Sequence, residues 1–234
     1  MSLLSIVQEA AIIVRQETPS AVISSSVEAV KLLKRLADVE GRELSHRHNW
    51  QALTSEHSFS TVAASAQTSS VPTDFGWIIP DTMFNRTTNR KVFGPLSSQE
   101  WQEIQSSLVT RVDPAFRIRG GTILITPTPS AGESIYYEYI SKNWCQSSGG
   151  SPQATWAADD DTGVLDEYLI MLGVVWRFKQ TSGLDYSEEF QSYERAVADA
   201  IQRDGSRRVL SSGVASRERI PYPPQVPETL TGLS

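Results

Sequence analysis

The sequence predicts an α+β fold: a helical bundle of about four long helices, an inserted antiparallel β domain and an extended C-terminal tail. Three observations carry this expectation. Apolar residues recur at helical spacing at both ends of the chain, over residues 3–48 and 164–201. Between them, Phe116–Arg119 and Thr122–Thr126 alternate on either side of Gly120-Gly121, and both glycines tolerate the positive φ of a tight hairpin turn. Beyond Asp204 the periodicity stops, and Pro221, Pro223, Pro224 and Pro227 accumulate. The expected division is residues 1–49 for the first half of the bundle, 50–161 for the β domain, 162–204 for the second half and 205–234 for the tail.

The elements follow in order. Leu3, Leu4, Val7, Ala10, Ala11 and Val14 share a broad helical face, which Thr18-Pro19 closes because the residue before proline avoids the α region. Ser25 with Glu28 reads as a capping box for a second helix reaching about His48. From Trp50 the period changes: Gln51–Val62 is β-like, Ala63–Ser70 is a polar loop, and Val71-Pro72-Thr73-Asp74-Phe75 opens a segment ending near Arg86. Ser97 with Glu100 caps a short helix through about Ser107. The hairpin follows, then the turn Pro127–Gly132 and a third run, Ser134–Ser141, so a three-stranded antiparallel meander is expected. A long loop spans Cys145–Asp161. Leu165, Tyr168, Leu169, Leu172, Val175, Trp176 and Phe178 mark a central buried helix, ended by Ser182-Gly183. Asp185 with Glu188 caps the last helix, where Phe190, Tyr193, Val197 and Ile201 keep three-to-four spacing.

Composition narrows function. With 27 acidic against 21 basic side chains the formal charge is −6, which argues against a chain whose main task is to grip nucleic acid. The single cysteine, Cys145, excludes an intrachain disulfide and a multi-cysteine zinc site, and no local base would activate it. The N-terminal stretch lacks a basic region and is broken by Gln8, Glu9 and Arg15, so no secretory leader is expected. The apolar run Tyr168–Trp176 is too short to span a bilayer.

Candidate chemistry is thin. His46 and His48 are spaced by two, which points their imidazoles apart on a helix, and His57 lies downstream, so no metal site is expected. Asp159-Asp160-Asp161 fails calcium-loop spacing and reads as a solvated acidic loop before a helix. Glu133 and Glu138 have odd spacing along one run and would sit on opposite faces, unlike a hydrolytic pair. Tyr137 and Tyr139 share a face with Ile135, the pattern of core rather than of a stacking platform. Neither enzymatic activity nor a cofactor is expected. The tail offers a different candidate: Arg203, Arg207, Arg208, Arg217 and Arg219 form a basic stretch before Ile220, Pro221, Tyr222 and Pro223, a plausible docking peptide.

Taken in order, several elements resemble the bacteriophage head–tail connector and adaptor family of short-tailed phages. They are the helical pair leading into Arg47-His48-Asn49-Trp50, Val71-Pro-Thr-Asp-Phe75, FRIRGGTILITPTPSAGESIYYEYISKNW and LDEYLIMLGVVWRFKQTSGLDYSEEFQSYERAVADAI. The resemblance implies a dodecameric ring of identical copies between the portal protein and the tail or nozzle protein, in the virion neck. Assembly would take place in the host cytoplasm. It implies that genomic DNA passes through without sequence-specific binding, that no membrane is engaged, and that the C-terminal segment grips the portal. Three alternatives stand beside it: a virion-associated peptidoglycan hydrolase, a tail-completion protein of a long-tailed phage, and a DNA-binding regulator using the N-terminal helix pair.

Overall fold

A computed structural model describes residues 1–107 and 112–205. The first helix, α1 (Leu3–Ile13), starts from a reciprocal cap in which Ser2 and Ser5 each bond the other's backbone N–H. It stops three residues short of the expected Gln16. Arg15 adopts φ 58°, and the Arg15 and Gln16 N–H groups bond back to the carbonyls of Ile12 and Ala11, closing the last turn. The second helix, α2 (Glu28–Arg47), lacks the capping box expected from Ser25 and Glu28. Val27 occupies the cap position, and the Ser25 hydroxyl accepts from the Val27 N–H. After a 3-10 turn at Gln51–Leu53 come the strands β1 (Thr54–Ser60), β2 (Ala66–Gln67), β3 (Phe75–Ile78), β4 (Phe84–Asn85) and β5 (Arg90–Lys91).

Helix α3 (Ser98–Ser106) carries the capping box its sequence announces, with the Ser97 hydroxyl accepting from the Glu100 N–H and Glu100 accepting from the Ser97 N–H. Its only buried side chain is Trp101, so caps matter more than packing here. Ser97→Ala is expected to cost about 1 kcal/mol, read as faster amide exchange within 98–106 than in the parent. The chain continues through β6 (Ala115–Arg119), β7 (Thr122–Thr126), β8 (Ser134–Ser141), β9 (Cys145–Gln146), β10 (Pro152–Gln153), β11 (Thr162–Gly163), α4 (Glu167–Thr181) and α5 (Ser187–Asp204).

The expected bundle of four long helices with a meander insertion is overturned. Among the described residues there are five helices and eleven strands, arranged in three antiparallel sheets. One physical reason is that α1, at 11 residues, is too short for a bundle member, and α4 has only 15. The meander fails for another. β6 and β7 do pair around Gly120 (φ 57°) and Gly121 (φ 71°), but the strand that adds to β7 is β2, giving the order β2-β7-β6. β8 leaves the hairpin and becomes the central strand of a five-stranded sheet. It takes β1 along one side, from Thr54↔Ile140 to Ser60↔Ser134, and β3 and β4 along the other. The long loop Cys145–Asp161 is also partly a sheet: β9 pairs with β10 and β11.

Two hydrophobic cores result. The larger gathers α1, α2, α4 and α5 with Trp50, Leu53, Ile140, Trp144 and Trp156, so the first and last thirds of the chain share one interior. The other lies between the remaining strands and is built from Phe59, Ile78, Met83, Phe116, Ile123, Ile125, Ile135, Tyr137 and Tyr139. The expectation that Ile135, Tyr137 and Tyr139 face a core holds, each being at most 6% exposed.

Candidate functional site

The sequence-derived candidate begins where the described chain ends. Arg203 lies on the last turn of α5, exposed, with Nε donating to the Asp199 carbonyl. Asp204 beside it accepts from the Gln51 N–H at 2.9 Å and lies 3.5 Å from His48 Nε2. The chain therefore leaves the helical body next to the start of the β region. Arg207, Arg208, Arg217, Arg219, Ile220, Pro221, Tyr222 and Pro223 lie outside the described residues.

The residues weighed for chemistry are dispersed. His46 stands edge-on to Trp77, His48 to Trp50 and His57 to Tyr137, so the three imidazoles have three separate surroundings. Among the described residues no group of three or more His, Cys, Asp or Glu side chains is placed to hold a metal ion. Glu133 precedes β8 and accepts from Asn85 Nδ2, whereas Glu138 is exposed on the outer sheet face. The reading of Asp159–Asp161 as a solvated loop is corrected. Asp161 is 1% exposed and accepts from the Ala157 and Ala158 N–H groups at 2.7 and 2.8 Å. Asp159 accepts from the Val22 and Ile23 N–H groups, the shorter bond being 2.8 Å. Only Asp160 stays exposed. The run is a clamp that ties the segment between α1 and α2 to the chain ahead of α4.

Cys145 sits in β9, fully buried, with Sγ facing the Gln153 carbonyl at 3.3 Å. Burial pushes its thiol up to about 12, reinforced by the charges of Asp161 and Asp38. A group so shifted is protonated across the working range and makes a poor nucleophile. The native protein is expected to leave Ellman's reagent unreacted at pH 8 and to release one equivalent only on unfolding; fast native reaction would show the thiol to be accessible.

Two of the surface clefts border the central strand β8. One, of about 370 Å³, opens beside Asn85, Arg90, Pro127, Pro129 and Glu133 and holds a single carboxylate, already bonded to Asn85. The other, of about 340 Å³, lies on the outer face of the five-stranded sheet. There Glu56 and Glu138 stand directly opposite across β1 and β8, Arg86 pairs with Glu56, and its guanidinium stacks 3.6 Å from the centre of the Tyr136 ring. Sequence reasoning missed this juxtaposition, because nothing local announces a pairing between strands so far apart in the chain.

A second missed feature is a buried charge network. Glu40 on α2 is fully buried, accepts from Arg177 Nε of α4 at 2.7 Å and accepts from the Tyr193 hydroxyl of α5. Arg177 also donates to Glu43 at 2.6 Å. Burial holds the Glu40 carboxyl above the ordinary glutamate value, although Tyr193 and Arg177 both pull it down. Burial and the neighbouring Glu40 charge raise the Tyr193 phenol as well. Gly173 makes the room: a Cβ there would come within 2.2 Å of Glu40 Cδ. A signal was present in the sequence, since Glu40 stands at helical spacing from Leu33, Ala37 and Leu44, inside the apolar stripe of α2.

A scan against protein-family models finds no match to this chain, and a search of curated proteins finds none either.

Proposed function

We propose that this chain is a structural head-to-tail adaptor of a bacteriophage, a subunit of a ring that docks on the portal vertex and joins it to the tail. The observation that carries the reading is the architecture of the insertion. Helices from both ends of the chain build one core, and the strands between them build a second. A ring subunit needs two different, complementary faces for its neighbours, and a helical side and a β side joined through β8 would supply them. The acidic balance of the chain, −6 overall, suits a conduit that DNA must traverse without sticking. Among the described residues no helix is long and apolar enough to cross a membrane.

On this reading the segment after Gly205 is the portal grip, and the basic stretch runs in sequence from Arg203 on α5 to Arg207 and Arg208 beyond it. Deleting the gene from the parent phage is expected to leave DNA-filled heads without tails, and supplying the protein in trans is expected to restore infectious particles. Complete tailed virions assembled without it would overturn the assignment.

A further inference from the structure

We propose that α5 is a detachable strap, closed over the rest of the helical body by a polar catch whose centre is the Tyr193–Glu40 hydrogen bond. Its fully buried anchoring is slight. Of its 18 residues only Tyr193 and Val197 are buried, whereas α1, with 11, buries five apolar side chains completely. A partly buried apolar seam adds to this, with Phe190 edge-on to Trp176 at 5.1 Å and Ala196, Ala200 and Ile201 against the core, and the other attachments are polar and distributed along the helix. Lys179 of α4 pairs with Glu189 near the start, Arg47 of α2 pairs with Glu194 at 2.7 Å in the middle, and Asp204 holds the Gln51 N–H at the end.

Tyr193 is the one side chain of α5 that reaches the buried carboxylate between α2 and α4, and Arg47 lies over its ring, 5.3 Å from the centre. Glu40 keeps Arg177 as a partner without Tyr193, so withdrawal of α5 does not strand the charge. A hinge stands ready at Ser182–Tyr186. Gly183 (φ 70°) ends α4, the Leu184 N–H bonds back to Lys179 and the Gly183 N–H to Gln180, which completes α4 independently of α5. Hydrogen bonds, ion pairs and the thin apolar seam give one well-defined closed position in which α5 itself buries only two side chains, which is the character of a low-stability cooperative unit. On the adaptor reading the strap carries the portal-gripping tail, so its release moves the point from which the tail starts. The opening itself does not depend on that reading.

Hydrogen exchange of the full-length chain in low, sub-denaturing urea tests this. Amides of 187–204 are expected to exchange through an opening that leaves 28–47 and 167–181 protected. Tyr193→Phe is expected to speed exchange in α5 about tenfold, the loss of one hydrogen bond to a charged group, with α2 unchanged. Glu194→Gln, at a half-exposed position, is expected to shift the same segment in the same direction by less. If α5 exchanges only together with α2 and α4, or if both variants accelerate all helices equally, α5 is an integral part of the core and the strap does not exist.

Discussion

Arg177→Ala is expected to destabilise the protein by about 3–5 kcal/mol at neutral pH, because it removes the paired cation from a fully buried carboxylate. Glu43, the other partner of Arg177, is about half exposed and adapts to water, whereas Glu40 cannot. The sign of the pH dependence follows. Burial already raises the folded-state affinity of Glu40 for a proton, and loss of Arg177 raises it further. A carboxyl with a raised folded-state value contributes stability that is fully present below its unfolded value and lost as pH rises through the folded value. The penalty of Arg177→Ala is therefore expected to be largest at neutral pH and to shrink as pH falls toward the ordinary glutamate range. Urea melts at several pH values measure it. Replacing Glu40 and Arg177 together by methionine is expected to cost much less than the single change, since the stranded charge goes with its partner. A penalty below about 1 kcal/mol for the single variant, flat with pH, would show that the carboxyl is solvated and the pair ornamental.

Gly41→Ala is the second large effect. Gly41 lies in the interior of α2, where alanine alone would gain roughly 0.5–1 kcal/mol from helix propensity. A Cβ at this position would stand 2.2 Å from Cζ3 of Trp144, whose ring is 1% exposed and packed edge-on against Trp156. The indole has no free side to move into, so overpacking of about 3 kcal/mol is expected to outweigh the propensity gain. Trp144→Ala alone is expected to cost about 3–5 kcal/mol by leaving a cavity. In the double variant the new methyl enters that cavity, so the two costs are expected to be strongly sub-additive. Additive costs in a double-mutant cycle would mean that Gly41 and Trp144 do not share the space assigned to them.

What was legible in the sequence was local. The Ser97–Glu100 cap, the hairpin at Gly120-Gly121 and the alternation that buries Ile135, Tyr137 and Tyr139 each need only a few neighbouring residues, and each is realised. What failed was partner choice. β8 follows the hairpin directly in sequence, yet it pairs with β1, β3 and β4, and the hairpin's free edge at β7 takes Ala66–Gln67 instead. Alternation specifies a face but not a neighbour, so a meander and two separate sheets predict the same pattern. The Ser25–Glu28 motif misled similarly, because a capping box requires a backbone geometry that Val27 takes up two residues later.

The candidate site was legible unevenly. Asp159–Asp161 looked solvated because acidic runs ordinarily are, but their oxygens satisfy N–H groups of distant loops, which composition does not encode. Glu40 could have been found: a charge inside an apolar helical stripe demands partners, and Arg177 and Tyr193 supply them from the last two helices.

The adaptor assignment is tested most directly by mixing the purified full-length protein with its portal ring and imaging the product by electron microscopy, alongside a chain truncated after Asp204. The account expects a second ring stacked coaxially on the portal with the full-length chain and bare portals with the truncated one. Portals that stay undecorated by the full-length protein would contradict it.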